Sequence, residues 1–168
     1  MNLTKPKLNL DKNYFYTLLI MIALLTFVSV LVILAPFTIG VRQDQFINQT
    51  NKDDLSKIGK ELALTKIFSY VSNQLILVGF AIYIVLLRHK LKAGFGFFFI
   101  SILIFVAMAF TPYVRGVSYM SDVEYAFSIL LSILCGLVTL ILSSLAIKLF
   151  LKRKIWHYEK YKIHKQRR

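Results

Sequence analysis

The sequence has little of what catalysis, covalent crosslinking and metal binding require. A single cysteine, Cys135, cannot close a disulfide within one chain or form a paired-cysteine redox centre. The H-E-x-x-H motif of zinc proteases and the G-x-S-x-G motif of serine hydrolases are both missing from the sequence. The three histidines, His89, His157 and His164, lie in basic stretches whose one acidic residue is Glu159. The sequence therefore predicts no enzyme activity, no metal site and no cofactor.

Ionisable side chains are also missing from the middle of the apolar segments. No Asp, Glu, Lys, Arg or His lies in the central part of any predicted span. Ionisable residues inside a membrane usually mark proton relays, ion coupling and paths for charged substrates. Their absence argues against a pump or secondary transporter that works as a single chain. Passive movement of a neutral solute or of lipid stays open.

Hydrophobic sequence, by contrast, is abundant. The 168 residues are 57% hydrophobic, and the mean hydropathy of +0.64 is too high for an ordinary soluble domain. Four apolar segments are each long enough to cross a bilayer as a helix. We predict an all-α integral membrane protein whose four transmembrane helices lie at about 14–36, 67–87, 95–111 and 125–151.

The remaining segments are polar or basic. Residues 1–13 form an N-terminal segment, and residues 152–168 form a basic tail. Between the first two spans, Leu55, Ile58 and Leu62 recur at helical spacing, which predicts a short interfacial helix before the second span.

The distribution of basic residues predicts the orientation of the chain. Of the 21 Lys and Arg residues, 15 fall in the N-terminal segment, the loop at 88–92 and the stretch 148–168. The other six fall in the loops at 40–66 and 113–124. Because Lys and Arg accumulate on the cytoplasmic side, both termini are predicted to be cytoplasmic. The predicted location is the cell membrane, as a multi-pass protein.

The last apolar segment carries a face of small and hydroxyl-bearing residues, here called the small face. It follows Ser121 and Glu124, whose spacing is that of a capping box at a helix start. In lipid, helices associate through close backbone approach and hydrogen bonds, which such residues provide. We interpret the small face as a helix-packing face, used either within this chain or with a partner. Its members lie within about 100° of arc on a helix and are Ser128, Ser132, Cys135, Gly136, Thr139 and Ser143.

The second predicted span contains Asn73 and Gln74, the most polar side chains in any span. Tyr83 lies further along the same helix. These residues either line a polar path in an oligomer or make hydrogen bonds between helices. The position of Asn73 and Gln74 in the first third of the span favours the hydrogen bonds.

The basic tail predicts contact with anionic lipids at the cytoplasmic face of the bilayer. Each basic residue near such a surface contributes roughly 1 kcal/mol. The alternatives are docking to an acidic protein or to RNA, or a role in setting orientation alone. Binding to nucleic acid is disfavoured, because the excess charge lies where topology requires it. The candidate lipid contacts are Lys152, Arg153, Lys154, Lys160 and Lys162.

These observations favour a small membrane protein that works by contact. The leading hypothesis is a non-enzymatic subunit, accessory or protective (immunity-like) partner of a membrane complex. The alternative is a subunit of an oligomeric transporter or channel for a neutral solute or lipid. The expected partners are the lipid bilayer and either a second membrane protein or further copies of this chain.

Overall fold

The long apolar runs form helices, because a helix satisfies its backbone hydrogen bonds within one segment, as lipid requires. The computed structural model of the protein describes residues 8, 10–39, 52–89, 92–114 and 120–166. Within these residues there are four α-helices and no strands, and all four helices are long and apolar enough to cross a membrane. The predicted all-α architecture with four long apolar helices is thereby confirmed. The helices are α1 (Lys12–Ile39), α2 (Lys52–His89), α3 (Phe95–Phe110) and α4 (Asp122–Gln166).

Contacts at the two ends of the bundle show that successive helices run in opposite directions. Where α1 begins and α4 ends, Lys148 donates to the Tyr14 hydroxyl at 2.7 Å. Leu8 pairs with Ala93, just before α3, through two backbone hydrogen bonds. The end of the bundle that holds these contacts is called the terminal end. The opposite end, where α2 and α4 begin, is called the distal end.

The core of the bundle is centred on α4, which packs against α1 and α3, while α1 also packs against α2. The buried residues of α4 recur at alternating spacings of four and three, which keeps one stripe facing its neighbours. The middle of the bundle is filled by fully buried side chains from every helix. Among them are Leu18 and Leu25 of α1, Leu77 and Ile84 of α2, Phe98 and Phe105 of α3, and Leu131, Leu142 and Leu145 of α4.

Aromatic rings, rather than close backbone approach, join α2 to α3. Phe80 meets Phe105 edge to face with ring centroids 4.8 Å apart. Tyr83 stacks on Phe97 at 4.5 Å. Offset and edge-to-face pairs of this kind are favourable beyond the area they bury. The aromatic content of α3 thus serves to fill the wide gap between two helices.

Three helices extend beyond the predicted spans. Residues 55–65, predicted as a separate interfacial helix, are part of α2, which runs unbroken for 38 residues. Helix α4 has 45 residues and continues through most of the tail, for roughly 68 Å at 1.5 Å per residue. The sequence has neither Gly nor Pro after Gly136, so nothing in it ends α4 earlier. Helix α1 likewise passes through Pro36, its predicted end.

Candidate functional site

The distal end contains an ion pair between α2 and α4. The ammonium nitrogen of Lys66 lies 2.6 Å and 2.9 Å from the two carboxylate oxygens of Glu124. The side chain of Lys66 is 22% exposed and that of Glu124 is 2% exposed. Ser121 Oγ accepts from the Glu124 amide at 3.2 Å, which is one half of the capping box. The Glu124 carboxylate, instead of completing that box, is directed to Lys66.

A second polar contact joins α2 to the end of α3. The Thr111 hydroxyl donates to the Met108 carbonyl at 2.7 Å, so its oxygen must accept the 3.0 Å bond from Asn73 Nδ2. This fixes the orientation of the buried Asn73 amide. No donor from the described residues bonds to Asn73 Oδ1, which is left with acceptor capacity.

A third polar contact joins α1 to α2, and here too a hydroxyl oxygen accepts from a side-chain amide of α2. The Ser29 hydroxyl donates to the Thr26 carbonyl at 2.8 Å and therefore accepts from Gln74 Nε2. Asn73 and Gln74, the candidate path residues, thus both make hydrogen bonds between helices. Tyr83 stacks on α3 nine residues further along, which is roughly 14 Å away on a helix. The buried side chains of Leu77 and Phe80 lie on α2 between them.

The ion pair and the Asn73 amide line a cavity of about 60 Å³, here called the distal cavity. One water needs roughly 10–15 Å³ of such volume, so the cavity has room for on the order of four. Polar groups converge on it from α1, α2, the end of α3 and α4, and apolar side chains complete its wall. The polar lining comprises Ser29, Thr65, Lys66, Ser69, Tyr70, Asn73, Thr111 and Glu124, and the apolar lining includes Val32, Leu62 and Leu131.

The small face of α4 is divided between two environments. Ser128 and Cys135 are fully buried, and Ser132 donates to the Ala109 carbonyl of α3 at 2.9 Å. A Cβ built on Gly136 would meet no atom of the described chain within 4 Å, outside its immediate neighbours and its own helix backbone. Thr139 bonds back to the Gly136 carbonyl at 2.7 Å, and Ser143 is half-buried.

The most buried stripe of α4 is rotated away from the small face, by roughly 80° at 100° per residue. It is formed chiefly by large residues that the small-residue pattern does not include. Leucine serves equally well against lipid or protein, so its presence alone does not mark the inner face. The stripe comprises Glu124, Ser128, Leu131, Cys135, Val138, Leu142, Leu145 and Leu149.

The basic tail is helical and projects from the terminal end. Lys152, Lys154 and Lys162 are exposed, and Lys160 lies over the Trp156 ring, 5.3 Å from its centroid. Arg153 Nε is shielded from solvent without a hydrogen-bond acceptor from the described residues.

Arg88 Nη1, at the end of α2, is also shielded from solvent without a hydrogen-bond acceptor from the described residues. The Arg88 guanidinium lies over the Phe15 ring, 4.6 Å from its centroid. The terminal end therefore holds two guanidinium nitrogens with capacity to donate.

Sequence reasoning identified Asn73 and Gln74 but missed the ion pair and its neighbours Ser29 and Thr111. A signal was present, because Lys66 and Glu124 each stand one residue before a predicted span, at the same end of the bundle. Comparison with protein-family models, with curated proteins and with solved structures finds no match to this chain.

Proposed function

We propose that this chain is a non-enzymatic protein of the cell membrane that works by contact, as an accessory or protective (immunity-like) partner of a larger membrane assembly. The observation that carries the proposal is the open surface around Gly136, near the middle of the apolar part of α4. Glycine at a lipid-facing position lets another helix approach closely, which is how helices associate in lipid. Ile133 and Leu140 flank it, both largely exposed. The surface is an indentation between apolar ridges.

Four polar side chains within the bundle support this proposal, because each already has a partner on another helix. Asn73, Gln74 and Ser132 bond across helix boundaries, and Lys66 is paired with Glu124. Association through the bundle interior would have to break these contacts. Association through the Gly136 surface would break none of them.

The test is a Gly136→Leu variant purified from its native membrane in mild detergent. We expect the leucine side chain to fill the indentation and to remove a stoichiometric copurifying protein, while insertion and helix content stay unchanged. Gly79→Leu is the matched control, because Gly79 on α2 is equally open and gains the same apolar bulk. Copurification of the same protein with both variants would refute the contact.

We place both termini in the cytoplasm and the distal end at the outer membrane surface. This orientation puts the larger share of Lys and Arg inside. The first turns of α2 then lie at the outer surface, where Lys57 and Lys60 are exposed. Residues 55–65 would act there as the interfacial part of a continuous helix rather than as a separate element.

We further propose that the terminal end contacts anionic lipid. A lipid phosphate would accept from the ammonium groups of Lys152 and Lys154, which are exposed at that end. Lys160 and Lys162 lie nine and eleven residues beyond Leu151, roughly 14 and 17 Å along the helix. If α4 follows the membrane normal, that exceeds the Debye length of about 8 Å at physiological salt.

The residues nearest the core of the bundle should therefore contribute most to lipid binding. Replacing Lys152, Arg153 and Lys154 by Ser should lower the retention of anionic lipid more than replacing Lys160 and Lys162. Native mass spectrometry in mixed micelles would measure the difference. Equal losses from the two sets would mean that the tail lies flat along the membrane surface.

The alternative function, a subunit of an oligomeric transporter or channel for a neutral solute or lipid, is favoured by the distal cavity alone. Fully buried Leu77, Ile84 and Phe105 fill the bundle below it, so a path would run between copies rather than through one. This alternative predicts solute flux into liposomes that Asn73→Leu removes. No flux from the purified protein over a broad solute panel would count against it.

A further inference from the structure

We propose that the distal cavity binds a zwitterionic headgroup, a phosphate ester that carries a primary ammonium group. The cavity presents a cation and an anion side by side. Lys66 Nζ and the Glu124 carboxylate are both part of its lining and lie within 2.6 Å of each other. A lone anion there would meet Glu124, and a lone cation would meet Lys66. A ligand with both charges matches the pair.

Both ions have bonding capacity that their mutual contact does not use. An ammonium group has three N–H donors, and a carboxylate accepts at about four lone-pair sites. The pair accounts for the contacts of one nitrogen with two oxygens. Lys66 can therefore donate to a phosphate oxygen while Glu124 accepts from a ligand ammonium.

The Asn73 amide provides a third recognition group. Its Nδ2 is committed to Thr111, and its Oδ1 has no donor among the described residues. The residue itself is only 6% exposed. A ligand N–H group in the cavity can donate to this Oδ1 oxygen. Glu124 and Asn73 thus both favour a ligand that donates several hydrogen bonds.

Size selects the kind of ammonium. Space for on the order of four waters suits the aminoethyl ester portion of the headgroup, which has about four heavy atoms, and the phosphate would lie at the mouth beside the partly exposed Lys66. A trimethylammonium group is bulkier and has no N–H to donate to Glu124 or Asn73. The apolar wall, which includes Leu62 and the largely exposed Val114, suits the glycerol and acyl portion of a lipid.

The experiment compares two lipids that differ only in the headgroup. The full chain is placed in nanodiscs of phosphatidylcholine that contain a minor share of phosphatidylethanolamine with the same acyl chains. Retained lipid is then counted by native mass spectrometry after transfer to detergent. We expect one retained phosphatidylethanolamine per chain and no preferential retention of phosphatidylcholine. Equal retention of the two lipids would overturn the proposal.

Variants separate binding in the distal cavity from binding elsewhere. Lys66→Met removes the phosphate partner and should weaken retention about tenfold or more, as expected for loss of a charge-assisted bond. Lys57→Met, an exposed lysine on the same helix, is the control and should change nothing. Ser69→Leu fills the cavity and leaves the ion pair intact, so it tests the same claim if Lys66→Met does not fold. Undiminished retention in Ser69→Leu would overturn the proposal.

Soluble phosphoethanolamine distinguishes the two possible sources of this headgroup. If it displaces the retained lipid at millimolar concentration, the headgroup alone is recognised, and a soluble ester is an equally good ligand. If it does not, while the lipid is still retained, the acyl portion is required and the ligand is the lipid. The inference concerns the distal cavity only and stands whether or not α4 contacts a partner.

Discussion

Lys66 on α2 and Glu124 on α4 are 58 positions apart in sequence and form an ion pair whose ammonium nitrogen is 2.6 Å from a carboxylate oxygen. Helices α2 and α4 make few other close contacts, since each packs mainly against α1 or α3. The pair therefore ties together two helices that lie across the bundle from each other. It also places two full charges at the edge of the apolar spans.

The two residues of the pair should respond unequally to mutation. Lys66→Met leaves a nearly fully buried carboxylate without a cation and should destabilise the fold by about 3 kcal/mol. Glu124→Gln should cost less, about 1 kcal/mol, because the long Lys66 side chain can direct its charge to water. Unfolding in SDS, followed by far-ultraviolet circular dichroism, measures both values.

The double variant, Lys66→Met with Glu124→Gln, completes a double-mutant cycle with the two single variants. It should be more stable than Lys66→Met alone, because no uncompensated buried charge is left. Additive losses in the double variant would show that the two charges act independently and that the contact contributes nothing to stability.

The aromatic contact between α2 and α3 gives a second prediction. Phe105→Ala should destabilise the bundle by about 2 kcal/mol, less than the roughly 3–5 kcal/mol typical of soluble cores. Lipid solvates apolar groups well, so only the packing loss and the cavity remain. Phe99→Ala on the lipid-facing side of α3 is the control and should change stability by less than about 0.5 kcal/mol. The same unfolding assay applies, and equal effects at the two positions would contradict the packing of α3.

The orientation of the chain gives a third prediction, for which the single cysteine is convenient. Cys135 is fully buried and should not react with a membrane-impermeant maleimide. In intact cells Lys57→Cys should be labelled, while Tyr158→Cys should be labelled only after the membrane is permeabilised. Both added positions are exposed. The reverse pattern would place the termini outside and would contradict the orientation read from the basic residues.

Apolar length was enough to predict the four helices, because a bilayer permits few other structures. The ends of the helices were harder to predict. The polar residues before Lys66 and after Leu151 read as separate segments, yet the helices continue through them. Polarity marks where a chain leaves the apolar core of a membrane, whereas a helix can continue until Gly, Pro or capping residues stop it, and α1 continues even through Pro36.

The candidate site was only partly predictable, for a different reason. Asn73 and Gln74 stood out because polar side chains are rare in a span, and the structure pairs both with neighbouring helices. Their partners, and the pairing of Lys66 with Glu124, depend on which helices are adjacent, which one sequence does not specify. On α4, the buried residues from Ser128 to Leu149 recur at alternating spacings of three and four. This pattern was visible in the sequence, but it could not be recognised as the inner face, because leucine is equally suited to contact with lipid.

The most direct test of the proposed contact is site-specific photo-crosslinking in the native membrane. A photoreactive residue replaces Leu140, one turn from Gly136 and 68% exposed. The matched control replaces Phe68 on α2, which is 78% exposed and lies on a different side of the bundle's surface. After irradiation, the adducts at each position are identified by mass spectrometry. We predict a covalent adduct with one other membrane protein at position 140 and adducts with lipid at position 68. Lipid adducts alone at both positions would contradict the proposal that α4 is the contact surface.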